Sequence, residues 1–185
     1  MKQSASQTVG PYFRIGLIYG QPQNELVQEK TSGERIKITG YVLDGDGQPI
    51  TDAMVEIWQP DANGIYNHPS DPLQAQADPH FRGFGRAETR IEGRYEFKTI
   101  KPGGRDRQAP YINVNVFSRG MLIHALTRIY FADEPANETD AVLNAIDGDR
   151  RHTLIAVPEQ SSDLPTYRFD IHVQGNKETV FFNPE

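Results

Sequence analysis

In this chain of 185 residues the side chains able to bind a metal or carry a proton include five histidines, 25 acidic residues and eight tyrosines, and cysteine is absent. No two of His68, His80, His124, His152 and His172 fall at the spacing of one strand face or one helix turn, the arrangement that marks a metal site on a regular element. His68 and His80 share a stretch with Asp71 and Asp78, which could take a divalent ion but reads more simply as solvated loop charge. His124 sits in the apolar run Met121-Leu-Ile-His-Ala-Leu126 and reads as an interior or interface side chain. Tyr66 follows an Asn63-Gly64 turn signal and has two readings: a phenolate donor, or a half-buried tyrosine that packs and hydrogen-bonds beside a strand end. Without a histidine pair to complete a site, the second reading is the better one. Arg128, in Leu126-Thr-Arg-Ile-Tyr130, stands in a run otherwise suited to burial, so its guanidinium needs a carboxylate or similar partner. Arg86 and Arg119 read as structural. No serine lies in a Gly-x-Ser-x-Gly elbow and no Gly-rich loop opens a helix, which sets aside hydrolases of that kind and sites for phosphates or dinucleotides.

These residues must be positioned by strands. Arg35 to Leu43 alternates polar and apolar side chains, and Asp44-Gly-Asp-Gly-Gln48 supplies turn chemistry before a returning strand from Ala53 to Trp58. Glu88 to Ile91 and Arg94 to Ile100 flank Glu92-Gly93 as a predicted hairpin, and Tyr111 to Phe117 with Leu122 to Phe131 flank Arg119-Gly120 as another. Further strands are expected over 153–157, 167–173 and 179–182, with one short helix over 136–146 where Asn137 to Asp140 offers an N-cap. The fold expected is all-β, an antiparallel β-sandwich over residues 35–185. Residues 1–34 show little periodicity and are expected to form an extended N-terminal arm packing on a partner subunit.

Composition narrows the classes. A length of 185 residues suits one domain, and 37% hydrophobic with 24% charged residues is a globular profile. A net charge of -6 offers no basic footprint for nucleic acid. No apolar run approaches the roughly 18 residues of a membrane span. The first residues, Met1-Lys-Gln-Ser-Ala-Ser-Gln, lack the apolar core of a signal peptide, so a cytoplasmic protein is expected.

Four segments in fixed order carry a resemblance: Val55-Glu-Ile-Trp-Gln-Pro-Asp-Ala-Asn-Gly-Ile-Tyr66, Gly83-Phe-Gly-Arg86, Thr99-Ile-Lys-Pro-Gly103 and Ala109-Pro-Tyr-Ile-Asn113. Together they resemble the intradiol ring-cleaving dioxygenases, which open catechol-type rings with O2 at a non-haem ferric ion. The resemblance implies an iron held by two tyrosines and two histidines. Tyr66 keeps the first of these places, while Arg105, Tyr111 and Asn113 stand at the other three, so the set reads as vestigial. Ser6-Gln-Thr-Val-Gly-Pro-Tyr12 and Tyr167-Arg-Phe-Asp-Ile-His-Val-Gln-Gly175 narrow the likeness to the iron-free alpha chains of the protocatechuate 3,4-dioxygenase branch. Such a chain is implied to work in a multimeric alpha-beta assembly, with Fe(3+) bound by the beta subunit and none by itself. The beta subunit would cleave 3,4-dihydroxybenzoate with O2 to 3-carboxy-cis,cis-muconate. The likeness implies that Thr8, Gly10, Pro11, Tyr12 and Arg128 bind substrate by completing the beta subunit's pocket, with no catalytic residue in this chain alone. Gly10 presents bare backbone and Pro11 fixes its angle, which would give a flat ring a rigid wall. Two other readings stay open: a purely structural assembly subunit, and a stand-alone binding module on the same scaffold.

Overall fold

A computed structural model of the chain describes residues 4–18, 23–90 and 92–183, without the side chains of Pro11 and Arg14. The strands are β1 (Arg35–Leu43), β2 (Met54–Trp58), β3 (Phe84–Glu88), β4 (Arg94–Ile100), β5 (Tyr111–Phe117), β6 (Ala125–Phe131), β7 (Ile155–Glu159), β8 (Thr166–Arg168) and β9 (Ile171–His172). Among the described residues the helices are α1 (Pro11–Ile18), α2 (Ala141–Ala145) and α3 (Gly148–Arg151), with short tight turns at Gln74–Gln76, Pro135–Glu138 and His152–Leu154. No helix among them is long and apolar enough to cross a membrane.

The protein is all-β, as expected, and its strands follow one path, β3-β2-β5-β6-β7-β8-β1-β4, with β9 beside β1. The expected pair of sheets corresponds to the two halves of that path, joined through β7. The pairing is mixed rather than wholly antiparallel, since β1 runs parallel to β8 and β9, and β6 parallel to β7. Alternation decides what lies inside. In β5, Ile112, Val114 and Val116 are buried while Tyr111, Asn113, Asn115 and Phe117 face outward and are half-buried. β1 and β4 add Ile36, Ile38, Tyr95 and Phe97 to the same core. Burial of such side chains contributes roughly 1.5–3 kcal/mol each.

Some local expectations are corrected. Glu92 and Gly93 do form a tight turn with positive φ of 56° and 74°, but the flanking strands do not pair with each other: β3 pairs with β2, and β4 with β1. Ile91 lies outside the described residues. The expected helix over 136–146 is a turn at Pro135–Glu138 followed by α2, whose N-cap Asp140 accepts from the Leu143 amide at 2.8 Å. The opening segment is not extended throughout, because Pro11–Ile18 is helical, with proline at the first helical position where its missing N–H costs nothing. Farther on, the Arg86 amide donates to Gln23 O at 3.0 Å and the Leu26 amide to Lys98 O at 2.8 Å. Residues 23–26 therefore lie across β3 and β4, the two ends of the path, with the Leu26 side chain in the core.

Candidate functional site

The site begins in the loop after β2. Asp61 Oδ1 accepts from the amides of Asn63 and Ile65 at 2.8 and 3.0 Å, which fixes the turn through Gly64. Gly64 has a φ of 77°, and a Cβ there would lie 2.6 Å from Gly104 O, so the two loops approach backbone to backbone. This close approach sets Tyr66 beside Arg105. Trp58 stacks on Tyr66 with centroids 5.5 Å apart, and Asp71 receives the Tyr66 amide at 2.9 Å, the Leu73 amide at 2.8 Å and an ion pair from Arg105.

Strand register completes the cluster. Trp58 is opposite Asn113, Asn113 is opposite Arg128, and Tyr111 is opposite Tyr130, all on the outer face of β2, β5 and β6. Asn113 Nδ2 donates to the Tyr66 hydroxyl at 3.4 Å. The Arg128 guanidinium lies 4.1 Å from the Tyr111 ring centre and 5.5 Å from that of Phe182, and donates to the Tyr130 hydroxyl at 3.3 Å. Burial, and next the charge of Tyr111, push the Tyr66 phenol well above its ordinary value. Two clefts of about 260 and 190 Å³ flank Tyr66 and Arg105, the second also lined by Tyr111 and Gln108.

Tyr66, Arg105, Tyr111 and Asn113, the four positions expected to be vestigial, are thus brought together, and their chemistry does not suit a ferric ion. Arg105 puts a cation where a ligand would be needed, and Asn113 offers a neutral amide. Tyr66 resists loss of its proton, and Arg128 adds a second cation. The His68 ring lies edge-on to Trp58 at 6.0 Å between ring centres, and its Nδ1 accepts from the Ser70 amide at 3.2 Å. The carboxylates of the 61–78 stretch are engaged by backbone: Asp61 Oδ2 accepts from the Asp78 amide at 2.9 Å, and Asp78 from the amides of Ser32 and His80, both at 2.8 Å. That accounts for the loop charge without a metal.

The N-terminal residues form a second cluster. Thr8 Oγ1 accepts from the Gly120 amide at 2.7 Å, and Gly10 O accepts from the Phe13 amide at 3.0 Å at the start of α1. Phe13 meets Phe117 at 5.5 Å, and Phe117 stacks with His124 at 5.2 Å. Tyr12 is 83% exposed. Pro11 opens α1, and its side chain lies outside the described residues. The arginine beside Thr8 is Arg119, at the tip of the β5–β6 hairpin, paired with Asp52 at 2.8 Å. Arg128 lies farther along β6 with Tyr66 and Tyr111. Arg119 reads as structural from the sequence, and its pairing with Asp52 accords with that; the adjacent Gly120, with a φ of 85°, makes the tip a tight turn whose amide meets the Thr8 side chain. Arg86, on β3, is structural as expected, bonded to Glu56 at 2.6 Å.

The family described as "Dioxygenase" matches residues 9–111. The protocatechuate 3,4-dioxygenase alpha chain of Burkholderia cepacia is 42% identical, over 99% of this chain and 98% of its own length. The chain belongs to the intradiol dioxygenase family. Another member, the protocatechuate 3,4-dioxygenase beta chain of Burkholderia cepacia, is 35% identical over 85% of this chain and 72% of its own length. The fold is shared with an intradiol ring-cleavage dioxygenase from Tetranychus urticae, with a TM-score of 0.65, 24% identity and coverage of 92% and 94% of the two chains. As a member of the intradiol dioxygenase family, this chain carries the family scaffold around the cluster of Tyr66, Arg105, Tyr111 and Asn113.

Proposed function

We propose that this chain is the iron-free alpha subunit of a cytoplasmic protocatechuate 3,4-dioxygenase. A beta subunit would hold Fe(3+) and cleave 3,4-dihydroxybenzoate with O2. The observation that carries the reading is the cluster of Tyr66, Arg105, Tyr111 and Asn113, unfit for ferric iron on a scaffold that matches an alpha chain over nearly its whole length. The similarity to a beta chain supports a partner of the same fold. Thr8, Gly10, Pro11 and Tyr12 would line the beta subunit's pocket from outside it. Their support is position, since Thr8 meets the tip of the β5–β6 hairpin at Gly120, the residue after Arg119, and Tyr12 is exposed. Gly10 has open space around the place of a side chain, so backbone can approach a flat ring there. Arg128 stands on the same outer face but at a distance along β6, which favours a role inside this chain. Arg119 is the nearer cation for a substrate carboxylate.

Co-expression with a beta chain tests this. The expected particle contains both chains, with iron that follows the beta chain and ring cleavage that requires both. Pro11→Ala and Gly10→Val should weaken protocatechuate binding while assembly is unchanged, through disturbed ring placement. Activity of the beta chain undiminished without this chain, or iron held tightly by this chain alone, would overturn the proposal.

A further inference from the structure

Residues 105–108 turn back on themselves beside Tyr66. The Gln108 amide donates to Arg105 O at 2.8 Å, and the two residues between, Asp106 and Arg107, have φ of 52° and 64°. Positive φ at both central positions is the conformation that tight hairpin turns ordinarily give to Asn-Gly or Asp-Gly. Here arginine stands where glycine is preferred, and in the left-handed region a side chain is crowded against its own backbone. Both side chains are exposed, so their packing does little to offset that strain. A turn of this kind persists only where its surroundings over-determine it. Fastenings are present at each end. Arg105 is ion-paired with Asp71, and the Ala109 amide donates to Asp140 Oδ2 at 2.9 Å. Asp140 is fully buried and is fixed in turn: its Oδ1 accepts from the Leu143 amide at 2.8 Å and from the Tyr130 hydroxyl at 3.4 Å, and that hydroxyl accepts from Arg128 at 3.3 Å. Between the fastenings lies the wall of a cleft. Tyr66 and Arg105 are the two residues common to the clefts of about 260 and 190 Å³, and the smaller one is also walled by Asp106, Gln108 and Ala109. Movement of the turn away from Asp71 would withdraw Arg105 from both clefts and bare Tyr66.

We propose that residues 105–109 are a strained clasp, held closed by Asp71 and Asp140, that governs access to Tyr66. The clasp belongs to this chain alone and works without the partner subunit or its iron.

Hydrogen exchange of the full chain reads the clasp at the Gln108 and Ala109 amides. Acrylamide quenching of Trp58, the only tryptophan, reads access, since Trp58 lines the larger cleft and stacks on Tyr66. Arg105→Gln releases one end. It should speed exchange of both amides about tenfold or more, as expected for loss of a charge-assisted contact, and raise quenching, while amides between β1 and β4 keep their rates. Asp71→Asn releases the same end and should act alike, which covers the case of an Arg105→Gln chain that does not fold. Arg107→Gly should slow exchange about twofold to fivefold, because glycine takes positive φ freely and the gain exceeds its added freedom in the open form. In the Arg105→Gln chain it should restore part of the protection and lower quenching. Arg107 lines neither cleft, so that change in quenching passes through the turn. The proposal is overturned by unchanged exchange when an end is released, by faster exchange with Arg107→Gly, or by exchange that changes while quenching does not. Because no beta chain is present, failure here is distinct from failure of the co-expression experiment.

Discussion

At the residue scale, Arg105 and Asp71 show how the cluster around Tyr66 is held together. Asp71 is brought down to about 2, first by the Arg105 hydrogen bond and then by the Leu73 and Tyr66 amides. A carboxylate whose folded value lies below its unfolded value of about 3.9 adds stability that is fully present above that value, and this is lost as pH falls through the folded value. Asp71→Asn should therefore be less stable than the wild type at neutral pH, with the difference shrinking between about pH 4 and pH 2. Urea midpoints measured across that range check it; a difference that stays constant with pH would exclude the assigned pair. Arg105 also bears on whether a single substitution would create an iron site. Arg105→Tyr adds a phenol but leaves Asn113 and the Arg128 cation in place, so the variant should show no visible phenolate-to-iron absorption after incubation with ferric salts.

At the element scale, the contact between β1 and the chain that joins β8 to β9 sets the limit on packing. A Cβ on Gly40 would lie 1.8 Å from Phe169 O, the atom that receives the Tyr95 hydroxyl at 2.6 Å. Gly40→Ala should cost about 3 kcal/mol or more, the upper end for overpacking, and Tyr95→Phe about 1–3 kcal/mol for a buried carbonyl left unpaired. Chemical denaturation of the two variants measures both. Elements with alternating large side chains were legible in the sequence: β1, β4 and β5 occupy the expected residues. β3 was not, because its inward positions are Gly85 and Ala87, small residues that leave no hydrophobic signal. Gly85 is small for a reason, since a Cβ there would lie 2.6 Å from the Leu26 side chain. α1 was hidden in a similar way, its residues Tyr12 to Ile18 mixing aromatic, β-branched and glycine positions with low helix preference. The parallel pairing of β1 with β8 joins residues about 130 apart in the chain, and no local pattern encodes it. Of the site, the residues that gather around Tyr66 were pointed to by the resemblance, whereas the separation of Arg128 from Thr8 required strand register.

At the scale of the whole molecule, exposed apolar side chains gather on α1 and the 121–124 loop: Tyr12, Phe13, Ile15, Leu122 and Ile123, the last 72% exposed. Phe13, Phe117 and Leu122 line one cleft of about 210 Å³ between these elements. Apolar surface collected in this way marks contact with another chain. Without a partner the protein should self-associate, and Leu122→Ser combined with Ile123→Ser should shift it toward monomer in sedimentation velocity; unchanged self-association in that variant would place the contact elsewhere. The strand across β3 and β4 has a bearing on how such assembly proceeds. Gln23 to Leu26 occupies both ends of the strand path, so the backbone groups that an incoming strand would pair with are taken at Arg86 and Lys98. Subunits are then expected to meet through side chains rather than by continuing a sheet, and residues 23–26 act as a guard against fibrous growth. Removal of residues 1–18 should leave that guard intact, while removal of 1–26 should uncover two unprotected rims and turn a soluble oligomer into one that scatters light on standing.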